Sequence, residues 1–130
     1  MPTINSAWVY VDLSPKIAVA NTNEIIAKPA GVAGTIKQIW IGINTVLTTG
    51  GGIVAVAKGS TNVLSSPTYN LGAAATPDLV AATPELATLA ANANSLKVAA
   101  TDWLKATWTL TTAAITNAAA CIVVVEPDYW

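Results

Sequence analysis

Apolar side chains recur at every second position in the longest patterned runs of this chain, and a period of two commits a segment to a strand with one buried face. The clearest case spans 35–46, where Ile39, Ile41 and Ile43 point one way and Gln38, Trp40, Gly42 and Asn44 the other. Residues 8–13 alternate Val9, Val11 and Leu13 against Trp8, Tyr10 and Asp12 and break at Ser14-Pro15. A short run at 24–28 centres on Ile25 and Ile26 and closes at Pro29 and Gly31. Within 103–112, Leu104, Ala106, Trp108 and Leu110 oppose Lys105, Thr107, Thr109 and Thr111, and 119–125 is a nearly unbroken apolar run suited to a central strand. Shorter pieces lie at 53–57, 63–64, 69–71 and 96–100. Gly50-Gly51-Gly52 separates two of these runs and reads as a hairpin connection. It does not read as a phosphate cradle, because Ile53-Val54 follows in place of Lys-Ser/Thr and a helix start.

The stretch 73–93 departs from this pattern. It is rich in Ala and contains Thr76-Pro77-Asp78-Leu79 and Thr83-Pro84-Glu85-Leu86. Each unit has the order of a Thr N-cap, a Pro in the first turn and an acid near the positive end of a helix, while Pro84 forbids one continuous helix. Short helical turns inside a long connection are expected there. The whole predicts an all-β chain, an antiparallel two-sheet sandwich forming one domain over 1–130, with 1–7 as an N-terminal arm and 127–130 as a C-terminal tail. The eight-stranded jelly roll is the favoured packing and an immunoglobulin-like Greek key its competitor.

Hydrophobic residues make up 53% of the 130 positions and charged residues only 10%, against roughly 25% charged in ordinary soluble domains. So sparse a charge coat suits a surface covered by partners. Six Lys, no Arg and seven acids leave a net charge of -1, which lacks the positive footprint that nucleic acid demands. No apolar run approaches the ~18 residues of a membrane-spanning helix, and 1–6 lacks the basic and apolar regions of a secretory signal, so neither a membrane partner nor export is expected.

Catalytic chemistry is hard to find. Without His, zinc patterns of His and Cys are excluded, and Cys121, in an apolar strand, has no imidazole to activate it. The seven carboxylates are scattered beside turns and strand ends, with no Asp-x-Asp-x-Asp-Gly loop for calcium and no Ser-x-x-Lys pair. The expectation is a protein that is not an enzyme, with no catalytic residue, metal or cofactor. Five Trp and three Tyr carry more information. Trp40 and Trp108, inside strand patterns, are expected in the core or between sheets. Trp8, Tyr10, Trp103, Tyr129 and Trp130 lie at strand edges or at the chain end and are the interface candidates, since such aromatics anchor contacts. Pro127 cannot donate to a ladder and should end its strand, leaving Asp128, Tyr129 and Trp130 to project.

The sequence Gly34-Thr35-Ile36-Lys37-Gln38-Ile39-Trp40-Ile41-Gly42-Ile43-Asn44, the glycine-rich hairpin, Thr101-Asp102-Trp103-Leu104 and the closing Val123-Val124-Val125-Glu126-Pro127 together resemble the head decoration, or cement, proteins of tailed bacteriophages that have a jelly-roll fold. The likeness lies in strand order and style over about Trp8 to Pro127, and Thr101 departs from it where such proteins commonly carry Gly before the Asp. It implies a homotrimer that sits on a shell of major capsid protein and strengthens it, a virion component made in the host cytoplasm. Two other readings stay open. One is a different virion module (tail, neck, fibre or small capsid subunit); the other is a carbohydrate-binding jelly roll with Trp8 or Trp103 as the platform.

Overall fold

Each long run of period two becomes a strand. A computed structural model describes residues 8–16, 22–43, 52–72, 78–79, 83–110 and 119–128. These residues form β1 (Val9–Asp12), β2 (Thr22–Pro29), β3 (Gly34–Ile43), β4 (Gly52–Lys58), β5 (Thr61–Asn62), β6 (Tyr69–Asn70), β7 (Glu85–Leu86), the single turn α1 (Ala93–Leu96), β8 (Lys97–Val98), β9 (Trp103–Leu110) and β10 (Ala119–Pro127). Arm 1–7, Gly50-Gly51, Thr76-Pro77, Tyr129 and Trp130 lie outside the described residues.

The strand pairs are nested. β1 pairs with β10, β2 with β9, β3 with β7 and β8, and β4 with β5 and β6, all antiparallel. If β5 with β6 and β7 with β8 are each taken as one interrupted strand, the first pairs with the eighth, the second with the seventh, the third with the sixth and the fourth with the fifth. This long hairpin rolls up so that β10 also meets β3 and β9 also meets β4. Two sheets result, ordered β1-β10-β3-β7 and β2-β9-β4-β5, which is the eight-stranded jelly roll and not the immunoglobulin order.

One core fills the space between the sheets. Ile39, Ile41, Cys121 and Val123 from the first sheet cluster with Val54, Leu104, Ala106 and Trp108 from the second, all at most 1% exposed. The Trp108 indole N–H donates across the sandwich to the Leu13 carbonyl at 3.1 Å. A β-bulge shapes the centre of the first sheet: Val124 pairs with Gln38 and Val125 with Ile36, so Lys37 is the extra residue. The bulge resets the alternation, allowing Ile36 as well as Ile39, Ile41 and Ile43 to enter the core despite their mixed spacing. The same parity puts Trp40 on the outer face, half-buried, where core or inter-sheet packing was expected.

The sandwich is closed along one side. Leu64 bridges Leu89, the Ser65 N–H donates to the Thr88 carbonyl at 2.8 Å, and the Ala90 N–H donates to the Val63 carbonyl at 2.9 Å, joining the two sheets through the backbone. Lys58 adds a tie at the end of β4, its Nζ donating to the carbonyls of Asn94 and Lys97 around α1.

The helical reading of Thr83–Leu86 is corrected. Glu85 and Leu86 form β7, paired with Ile41 and Trp40, and the Ala87 N–H donates to the Ile39 carbonyl at 2.9 Å. Pro84 biases Thr83 toward extended geometry, and the open edge of β3 supplies hydrogen bonds that an isolated turn of helix cannot match. The helical turn forms later, over Ala93–Leu96, where the Asn92 side chain caps the Asn94 N–H at 2.9 Å. The expected tail over 127–130 is corrected at its start: Pro127 belongs to β10, buried opposite Gly34, and the next residue supplies the donor that proline lacks, the Asp128 N–H donating to the Ala33 carbonyl.

Gly42 lets this connection lie flat on the sheet: a Cβ there would stand 2.8 Å from Pro84 Cα. Gly42→Ala is therefore expected to destabilise the fold by about 1–3 kcal/mol through overpacking against backbone, read as a lowered Tm. An unchanged Tm would show that the connection moves aside freely.

Candidate interaction surfaces

Alternation assigns each strand residue either to the core or to one of two outer faces. On the outer face of the first sheet, Tyr10, Val124 and Gln38 form one cross-strand row, and Asp12, Ile122, Trp40 and Leu86 the next. Tyr10 is 67% and Leu86 52% exposed. The Trp40 indole N–H donates to Gln38 Oε1 at 3.1 Å, laying the ring along the sheet. Val124 belongs to this face and not to the core cluster, yet it is fully buried. Trp8, just before β1, is half-buried, and its indole N–H is enclosed with no acceptor among the described residues.

The outer face of the second sheet is even poorer in charge. Ile25, Thr107 and Ala55 make one row, and Ala27, Lys105 and Ala57 the next. Trp103, opposite Pro29, is 56% exposed and Ile25 is 62% exposed. The structure thus divides the aromatic candidates. Trp8 and Tyr10 go with the first sheet and Trp103 with the second, on faces separated by the thickness of the sandwich, while Tyr129 and Trp130 lie outside the described residues. Sequence reasoning missed Ile25 and Leu86. Ile25 carried a readable signal, because two consecutive isoleucines in a strand must point to opposite faces. Leu86 carried none, since its strand depends on the edge of β3.

Three of the carboxylates accept backbone N–H groups where the chain enters or leaves a strand. Asp12 Oδ1 accepts from the Ser14 N–H at 2.9 Å and from the Ser14 hydroxyl, whose oxygen in turn accepts the Cys121 N–H. Asp102 accepts the Ala99 N–H at 2.7 Å, and Asp78 accepts the Asn70 N–H at 2.9 Å. Among the described residues no group of three or more His, Cys, Asp or Glu side chains is placed to hold a metal. A cavity of about 40 Å³ beside Ser65, Thr68, Tyr69, Asp78 and Thr88 has room for a few waters. Cys121 is a buried strand residue whose thiol is pushed up to about 12 by burial, with the Asp12 charge adding to the shift. Comparison with family models, curated proteins and solved structures found no match to this chain.

Two measurements follow from these environments. Cys121 should resist thiol reagents in the native protein and label fully on unfolding, because reagent access and thiolate formation are both suppressed. Rapid native labelling would mean that the β10–β3 core opens readily. Stability should be flat between about pH 5.5 and 8, since the chain has no His and its shifted groups titrate outside that window. The bonds from Ser14 hold Asp12 below its ordinary 3.8, so their contribution is present above that value and is lost as pH falls through the lower, folded pKa. Cys121 and Tyr69 are raised, both to about 12 and both chiefly by burial, so stability falls as pH rises from about 9 toward 12. A Tm profile against pH checks all three regions.

Proposed function

We propose that this chain is a structural virion protein, a head decoration or cement protein of a tailed phage that binds the outer surface of a major capsid protein shell as a homo-oligomer, in threes by its resemblance. The observation that carries the reading is the pair of outer faces. Each holds two large apolar side chains, Tyr10 with Leu86 and Ile25 with Trp103, all more than half exposed, on a chain with 10% charged residues. Isolated exposed apolar residues are common, but faces of this kind on so uncharged a molecule suit burial against protein. The jelly roll alone fixes no function, since the same fold serves capsids, lectins and enzymes. A carbohydrate-binding reading draws on Trp103, whose ring is exposed on a sheet face. Trp8 suits that role less, with its indole N–H enclosed.

The test is co-sedimentation of the purified protein with phage heads that lack it. Saturable binding and a higher disruption temperature of the heads are expected. Tyr10→Ala or Trp103→Ala, whichever face meets the shell, should weaken binding at least ~10-fold, equivalent to about 1.4 kcal/mol. Absence of binding to heads, together with specific signals on a glycan array that Trp103→Ala abolishes, would overturn the virion reading in favour of the sugar-binding one.

A further inference from the structure

The two long sides of the sandwich are unlike. The β5–β7 side is closed by backbone bonds between 63–65 and 88–90, whereas the opposite side ends in β1 and β2, and no described residue makes a backbone hydrogen bond to the outer edge of β2. β2 is eight residues long. The Ala30 N–H points inward to the Asp102 carbonyl, so by alternation the even residues of β2 bond to β9, and Asn23, Ile25 and Ala27 turn their N–H and C=O groups outward. Pro29, which has no N–H to offer, falls on the outward set, as an edge strand requires.

Edge strands of this length usually carry like charges or an early proline that forbid pairing with a copy of themselves. The order Thr22-Asn23-Glu24-Ile25-Ile26-Ala27-Lys28-Pro29 does the reverse. If two copies are laid antiparallel about a two-fold axis through Ile26, Glu24 meets Lys28 of the second copy, Ile26 meets its own equivalent, and Lys28 meets Glu24. These are the non-hydrogen-bonded positions, where side chains stand closest. The outward groups of residues 23, 25, 27 and 29 then make roughly six inter-chain bonds, fewer than a full ladder only because Pro29 cannot donate. Shifting the two-fold axis by one residue either way removes both charge pairs. Glu24 is held at this edge by the Lys16 N–H, which donates to its Oε1 at 2.9 Å, and Lys28 is exposed.

We infer that β2 is a self-association edge: two copies join antiparallel through it in the register centred on Ile26, making one continuous sheet across the pair. The contact is two-fold. It gives a dimer of single chains, or links two trimers if the chain is also three-fold, and it does not depend on the capsid reading.

Ile26→Cys tests it directly. Equivalent residues at a two-fold non-hydrogen-bonded position stand ~4.5 Å apart at Cα, within disulfide range, and the buried Cys121 is an inert background. Mild oxidation should give a two-chain band on a non-reducing gel, while Asn23→Cys, roughly 20 Å from its own equivalent in this register, should not. In sedimentation equilibrium, Glu24→Lys and Lys28→Glu should each raise the dissociation constant at least tenfold, and the double variant should restore it. A folded Lys28→Glu protein that associates as the parent does, or an Ile26→Cys protein that stays uncrosslinked, would overturn the inference. Either result would leave the head-binding experiment free to succeed.

Discussion

The Trp108 indole joins the two sheets by filling the space between them and by donating its N–H to the Leu13 carbonyl. Leu13 in turn donates its N–H to Cys121, so this one side chain of β9 connects the second sheet through the end of β1 to β10 at the middle of the first. Replacing it with a smaller apolar residue would leave a cavity and an unpaired carbonyl in the same place, each costing on the order of 1–3 kcal/mol or more. The Asp12–Ser14 turn sits beside this junction and brings the chain off β1 with its polar groups satisfied.

With the core arranged around that junction, what the sandwich turns outward follows from parity. Thr and Ala, with one Lys at 105, make up most of the outer rows of β9 and β4, and large apolar residues appear there only at isolated points. The result is two broad, weakly charged faces, one closed side and one side ending in β2. Among the described residues Asp12, Asp78 and Asp102 accept backbone hydrogen bonds at the ends of strands, and burial holds the Cys121 thiol neutral. What such a surface offers a partner is area, backbone edges and a few exposed aromatic and aliphatic side chains, and the proposed assembly role rests on these.

The Thr-Pro units show how a local preference yields to a neighbour. Thr83-Pro84-Glu85-Leu86 has a respectable helix start, yet β3 presents unpaired groups at Trp40 and Ile41 and a glycine at 42 on which Pro84 can rest. A helix nucleus fixes several residues for a single hydrogen bond, whereas docking on a formed sheet edge gains bonds at once. The outcome depends on residues more than forty positions away, and no window of sequence contains it.

Legibility followed the range of the physics. Period-two runs at 8–13, 35–46 and 103–112 indicated three strands and their buried faces, because the pleat alone decides which side chains share a side, and the apolar run 119–125 indicated a strand without saying which face is buried. The absence of His and the thinness of the charge coat likewise depend on no fold. The outward turn of Trp40 was already implied by its parity against Ile39 and Ile41. The choice of jelly-roll order, the bulge at Lys37 that returns Ile36 to the core and the splitting of Trp8 and Tyr10 from Trp103 were settled only by the assembled sandwich. Each depends on which strand lies beside which, and that choice rests on hydrogen-bond partners and core volume contributed by segments far apart in the chain.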